Sequence, residues 1–274
     1  MTEHRETPDR NGTPGLGLGT WENEDPQACK ASVRTALETG YRHVDTARIY
    51  GNEAAVGRGI AAADVNRGAV FLATKLWIDD LGYDDVFEAT AGSLDRLGTD
   101  YLDLLYVHWP AKTYDPESTL SAFEELYEDG VIDRIGVSNF EPSHIETARD
   151  VLDAPISANQ IEIHPLLQQR RLREYCLEAG IELVAYSPLA RGNVFDVDVI
   201  SAIAADHGVS EAQVSLAWLR QNGITAIPKA TGGEHIRDNW ASLDLELSDA
   251  ELARIDAIER EERFVNPGFG PDAW

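Results

Sequence analysis

Lysine is nearly missing from this chain: of 23 basic residues in 274, only Lys30, Lys75, Lys112 and Lys229 are lysines. Positive charge as a whole is scarce, with 48 acidic residues and a formal net charge of -25 at pH 7. A surface this acidic repels phosphate backbones and anionic lipid, which argues against nucleic-acid and membrane partners. The two cysteines, Cys29 and Cys176, lie in separate helical patterns with no CxxC or Cys/His cluster. They read as small buried hydrophobes in a reducing compartment rather than a disulfide, and the cytoplasm is the expected location. No apolar run approaches the ~18 residues of a membrane span, and the polar residues 1–6 lack a signal-peptide pattern. A GxGxxG turn is absent, since Gly15-Leu16-Gly17-Leu18-Gly19 has the wrong spacing, and so are a His-x-His motif and clustered carboxylates. The first absence argues against a Rossmann unit and the second against a metal-dependent hydrolase, so no metal is expected.

Two of the four lysines, Lys75 and Lys229, end apolar runs, and retention there in a chain that otherwise avoids lysine points to a task for each. The acidic, lysine-poor composition resembles that of proteins from salt-loving cells, where molar salt shortens the Debye length to ~3 Å and suppresses self-repulsion.

Short apolar runs alternate with amphipathic stretches, the pattern of βα units around a parallel sheet. Eight strands are predicted at residues 15–20, 43–47, 70–76, 102–108, 133–138, 158–163, 183–187 and 225–230. Helices are predicted at 26–39, 83–97, 120–129, 169–179, 210–221 and 248–259, with Asp25-Pro26 as a start signal and Gly40, Gly98, Gly130 and Gly180 as stops. Eight units in one chain without a linker imply a single-domain (β/α)8 TIM barrel, residues 1–274. Residues 1–13 are expected to be flexible, and the Pro-, Gly- and aromatic-rich tail 260–274 to cross the barrel mouth.

In such a barrel all strand ends share one face. Asp45, Lys75 and His108 end three runs, and Tyr50 follows Asp45 by five residues on a turn. A phenol has a reference pKa of ~10 and is a poor acid unless a cation stands beside it; Lys75 is that cation, and Asp45 holds it in place. With His108 as a hydrogen-bond partner for a substrate oxygen, the set suits carbonyl reduction, in which an acid gives a proton to oxygen while a hydride reaches carbon. None of the four can supply hydride, so a cofactor is required. Ser138, Asn139 and Gln160 could hydrogen-bond a nicotinamide carboxamide, Tyr186 could stack on its ring, and the Lys229 loop after strand eight suits a phosphate. Trp21, Trp77 and Trp109 follow strand ends and suit the pocket wall, with Trp274 added from the tail. His164 precedes Pro165 and reads as structural, while Asn52 and Glu53 suit support of the Tyr50 turn.

Ordered matches run from Gly15 to Trp274: the segment Gly40 to Glu53, Ala73-Thr74-Lys75-Leu76-Trp77, His108-Trp109-Pro110, Gly136-Val137-Ser138-Asn139-Phe140, Asn159-Gln160-Ile161-Glu162, Ala185-Tyr186-Ser187-Pro188-Leu189 and Ile227-Pro228-Lys229. In these the chain resembles the aldo-keto reductases, and its short tail is similar to that of 2,5-diketogluconate reductases. The resemblance implies Tyr50 as proton donor, Lys75 and Asp45 as its tuning pair, and His108 as the carbonyl-orienting residue. It implies cofactor contacts at Thr20, Trp21, Asp45, Ser138, Asn139, Gln160, Tyr186, Ser187, Leu189, Lys229, Ala230, His235 and Asn239. It further implies NADPH as hydride donor and a small or sugar-derived carbonyl as substrate; separately, a monomer is expected. Ala230 stands where many relatives have a hydroxyl, and His235 stands where many have an Arg that grips the 2′-phosphate, so NADH is an alternative. A non-catalytic NADP-binding sensor on the same fold is the alternative function, opposed by the complete tetrad.

Overall fold

In a computed structural model that describes residues 9–10 and 12–271, eight parallel strands form one curled sheet. They are β1 (Leu18–Gly19), β2 (His43–Asp45), β3 (Phe71–Leu76), β4 (Leu104–Val107), β5 (Ile135–Ser138), β6 (Ile156–Glu162), β7 (Glu182–Tyr186) and β8 (Thr225–Ala226). The sheet closes between its ends through parallel bridges Leu16 to Ala226 and Gly19 to Lys229, with Gly17 N donating to Ala226 O (2.8 Å). The architecture is the expected (β/α)8 barrel. β1 and β8 are shorter than predicted because the chain at the seam carries Gly-rich residues on one side and Pro228, which has no N–H, on the other.

Alternation along the strands divides the core in two. Phe71, Ala73, Leu104, Tyr106, Ala158, Val184 and Ile227 form a separate cluster that fills the barrel. The intervening residues, such as Leu72, Leu105, Val137 and Ile161, join the larger cluster beneath the helices. The helices are α1 (Pro26–Thr39), α2 (Glu53–Ala62), α3 (Tyr83–Leu97), α4 (Pro116–Glu128), α5 (Pro142–Val151), α6 (Arg170–Ala179), α7 (Asp198–His207), α8 (Glu211–Gln221), α9 (Gly233–Ala241) and α10 (Asp249–Asp256). Asp25 caps α1 as its sequence suggested, Oδ1 accepting from Gln27 N (3.0 Å) and Ala28 N (2.7 Å).

Four helices, α2, α5, α7 and α9, were not singled out in the sequence, and α2 shows why. Its two glycines lower helix propensity, yet a Cβ on Gly57 would stand 2.2 Å from Leu97 O, so only glycine lets α2 approach the end of α3. Asp9–Arg10 pairs antiparallel with Thr13–Pro14, and the Arg134 guanidinium donates to Thr13 Oγ1 (2.8 Å), which ties this hairpin to the start of β5; residues 1–8 and 11 lie outside the described residues. The tail beyond α10 does cross the barrel mouth through Val265, Pro267 and Phe269, and Trp274 lies outside the described residues. Among the described residues no helix is long and apolar enough to cross a membrane, and no group of three or more His, Cys, Asp or Glu could hold a metal ion. Cys29 and Cys176 are free and buried, and burial pushes both thiols up to about 11.

Candidate active site

Asp45 is the last residue of β2, Lys75 lies near the end of β3, and His108 follows β4 directly. The parallel strands therefore deliver all three to one end of the barrel. Tyr50 arrives by a short 3-10 turn, Arg48–Tyr50, closed by Gly51 in the left-handed region at φ 67°. Asn52 fastens that turn: its Nδ2 donates to Thr20 O (2.8 Å), and its Oδ1 accepts from Thr46 Oγ1 (3.0 Å). Glu53, also buried, accepts from Thr74 Oγ1 (2.6 Å) on β3 and from Arg96 Nε (2.9 Å) on α3. The support expected of these two residues is thus visible as hydrogen bonds between the Tyr50 turn and its neighbours.

Lys75 is fully buried and forms an ion pair with Asp45 Oδ1, while its Nζ also donates to Thr46 O (2.8 Å). Gln160 Nε2 donates to the other carboxylate oxygen at 2.8 Å, so Asp45 is held from two sides. Burial draws the Lys75 pKa down from its ordinary value, and Asp45 opposes that shift. The ammonium lies 5.3 Å from the centroid of the Tyr50 ring. One expectation needs correction. Burial, followed by the charges of Asp45 and Tyr186, raises the Tyr50 phenol well above 10 instead of lowering it. Tyr50 is therefore protonated at neutral pH, the state a proton donor must hold.

His108 packs edge-on against Tyr50 (ring centroids 5.9 Å apart) and Trp77 (5.1 Å). Burial first, and the Lys75 charge second, hold its pKa well below 6.5, so the ring is neutral. Burial lowers His43 in the same direction. As pH falls through about 6.5, the unfolded chain protonates these two rings while the folded chain does not. Stability should therefore decline below that pH by about 1.4 kcal/mol per pH unit for each ring until its folded pKa is reached. Urea midpoints at pH 7 and pH 5 check this, and His108→Gln should make the decline shallower.

Above these side chains opens a cavity of about 660 Å³. Of the residues expected in the site, Thr20, Trp21, Asp45, Tyr50, Trp77, His108, Trp109, Asn139, Gln160, Tyr186, Ser187, Leu189 and Lys229 line it. Lys75 lies buried behind Asp45, and Ser138 stands behind the wall with its hydroxyl donating to Gln160 O (2.8 Å). Ala230, His235 and Asn239 are not brought to the wall. The Ala230 side chain is buried, and α9 turns His235 to solvent and Asn239 into its buried face.

The cavity suits a dinucleotide. Tyr186 presents a ring at the end of β7, its hydroxyl donating to Asn139 Oδ1 (2.8 Å). The following loop runs along the cavity with Ser187 at φ 47°, Ala190 at 49° and Arg191 at 52°. Non-glycine residues there cost roughly 1–3 kcal/mol each, and such strain persists at ligand clamps. Arg191 and Lys229 place two cations on the cavity wall, groups that could meet phosphates. Arg191, whose guanidinium lies 4.5 Å from the Trp21 ring centroid, was not anticipated from sequence. Neither was Phe269, whose ring lies 5.7 Å from that of Trp77 and 5.5 Å from that of Trp109. Arg191 follows Leu189 in the matched Ser187-Pro188-Leu189 segment, which was a usable signal; an aromatic in a long tail carries no such register.

The sequence pattern of the aldo/keto reductase family matches residues 11–260. The chain belongs to this family. It is accordingly an oxidoreductase that reduces carbonyl compounds with NAD(P)H. The chain is 42% identical over 259 residues to a glyoxal reductase of Bacillus subtilis (strain 168), covering 94% of this chain and 92% of that protein. It is 40% identical over 265 residues to methylglyoxal reductase DkgB of Salmonella typhimurium (strain LT2), covering 95% and 98%. A crystal structure provisionally assigned as a 2,5-diketo-D-gluconic acid reductase B superposes with a TM-score of 0.92 at 34% identity, covering 99% of this chain and 97% of that one.

Proposed function

We propose that Tyr50, Lys75, Asp45 and His108 form the catalytic tetrad of an NADPH-dependent reductase of small dicarbonyl and sugar-derived compounds. The observation that carries this reading is the buried Lys75–Asp45 pair beside a protonated Tyr50 and a neutral His108 at the floor of the cavity. Bound in the cavity, NAD(P)H supplies a hydride. His108 donates a hydrogen bond from its neutral ring to the carbonyl oxygen and orients it. Tyr50 Oη passes its proton to that oxygen as negative charge develops there. The tyrosinate left behind is stabilised by the Lys75 ammonium, which Asp45 keeps charged within a buried site. Trp21, Trp77, Trp109 and Phe269 keep water from the reacting atoms.

The substrate class rests on the printed activities of the two similar enzymes and on the aromatic walls, which suit compact substrates. Following nicotinamide absorbance with glyoxal, methylglyoxal, diketones and aldoses tests it; no turnover of any carbonyl would overturn it. Lys229 and Arg191 favour NADPH over NADH. The expected result is at least a tenfold higher kcat/KM with NADPH, about 1.4 kcal/mol of differential binding. Preference for NADH would reverse the assignment, as exposure of His235 in place of an Arg would then explain.

Free buried thiols favour a reducing, cytoplasmic setting, and we read the chain as a monomer, to be checked by sedimentation. The net charge of -25 favours an origin in a salt-rich cell. Melting temperature should rise between dilute buffer and about 1 M salt, where the Debye length falls to ~3 Å. An unchanged or lower melting temperature in salt would refute this origin.

A further inference from the structure

Glu162, the last residue of β6, is fully buried, yet it plays no part in the chemistry above. Its carboxylate faces the tail. Oε1 accepts from Phe264 N (2.8 Å) and Oε2 from Val265 N (2.9 Å), while His164 Nε2 lies 3.0 Å from Oε1. The His164 ring also packs on Phe264, with centroids 5.4 Å apart. From Val265 the tail is already cavity wall, continuing through Pro267 to Phe269, which meets Trp77 and Trp109. One further backbone bond, Glu262 N to Leu166 O (2.7 Å), fastens the segment just before it.

We propose that Glu162 is a positioning residue whose carboxylate latches the C-terminal tail at residues 264–265 and thereby sets the apparent affinity for the carbonyl substrate. The inference rests on the reductase reading above. A carboxylate accepts through both oxygens and donates nothing, so it can meet two adjacent backbone N–H groups and a histidine together. Hydrogen bonds to a charged acceptor in a buried setting are also stronger than neutral ones. With the tail fastened beside the barrel wall at Glu262 to Val265, the stretch on to Phe269 can swing as one segment, and Phe269 closes on Trp77 and Trp109 when the latch is made. Tyr50, Lys75, Asp45 and His108 are attached to β2, β3 and β4, not to the tail, so loss of the latch should leave proton donation intact.

Glu162→Gln in the full chain is the decisive variant, because it keeps size while replacing one acceptor oxygen with an NH2 that confronts a backbone N–H. Expected results are faster hydrogen exchange at the amides of residues 264 and 265, by about tenfold or more, and a KM for methylglyoxal raised by about tenfold, the effect of losing one hydrogen bond to a charged group. The dissociation constant for NADPH, followed by quenching of protein fluorescence, should stay within about twofold, as should kcat at saturating substrate, since each tenfold would require 1.4 kcal/mol. Glu162→Asp, which keeps both acceptors, should recover part of the KM loss.

Unchanged exchange at 264–265 would refute the latch, and an unchanged KM despite faster exchange would refute its effect on substrate. A fall in kcat, cofactor affinity and melting temperature together would mark a purely structural residue and also refute the proposal. Wild-type protein that turns over no carbonyl would overturn the reductase reading instead; the exchange measurement, which needs no activity, would still decide whether the tail is latched.

Discussion

The Tyr50→Phe variant should lose roughly 10²–10⁴-fold in kcat for carbonyl reduction, the usual contribution of a positioned general acid. Phenylalanine keeps the ring that packs at 5.9 Å against His108 and removes only the hydroxyl, so the pocket wall stays in place. NADPH affinity should be nearly unchanged, because the proposed cofactor contacts lie on other elements, at Tyr186, Ser187, Leu189 and Lys229. Single-turnover kinetics under cofactor saturation would measure the chemical step directly. A variant retaining more than a tenth of wild-type kcat would remove Tyr50 from the role of proton donor. Since burial and the Asp45 and Tyr186 charges hold the phenol well above 10, wild-type reduction should show no loss from Tyr50 ionisation between pH 6 and pH 9. That window lies below the ordinary tyrosine value of ~10 as well, so a loss there would place another group in control.

Asp45→Asn should have the largest effect on the protein as a whole. Removing the carboxylate leaves the Lys75 ammonium buried without its counter-charge, and breaking such a pair from one side costs about 3–5 kcal/mol. With roughly 2–4 °C per kcal/mol for a chain of this size, the melting temperature should fall by about 10 °C. Lys75 should respond by giving up its proton, because burial already draws its pKa down and the Asp45 charge is the main influence opposing that shift. Activity should then fall at least as far as in Tyr50→Phe. The double variant Asp45→Asn/Lys75→Met should recover stability without recovering activity, since no uncompensated charge remains inside. A double variant no more stable than the single one would show that the loss came from packing and not from charge.

Much of the site could be read before any coordinates because barrel strands end where apolar runs end. Asp45, Lys75 and His108 announce themselves as polar residues closing such runs, and parallel connection puts those ends together. Asn52 and Glu53 were legible as neighbours of the Tyr50 turn, although not their partners Thr20, Thr74 and Arg96, which come from three other elements. Glu162 stood in a matched segment without an evident task, since its donors are backbone N–H groups about 100 positions away and a backbone donor carries no residue-type signature. Helix α2 was obscured by Gly57 because helix propensity registers glycine as a breaker, whereas the carbonyl of Leu97 makes it a packing requirement.

Short apolar runs, helical stretches and their punctuation sufficed for the barrel and for bringing Asp45, Lys75 and His108 to one end of it, because each of these follows from short-range sequence order. The protonation states of Tyr50 and His108, the cation that Arg191 brings over Trp21, and the tail drawn down to Glu162 were settled only by the folded molecule. They depend on burial and on approach between residues distant along the chain, and both quantities come into being only when the barrel has closed.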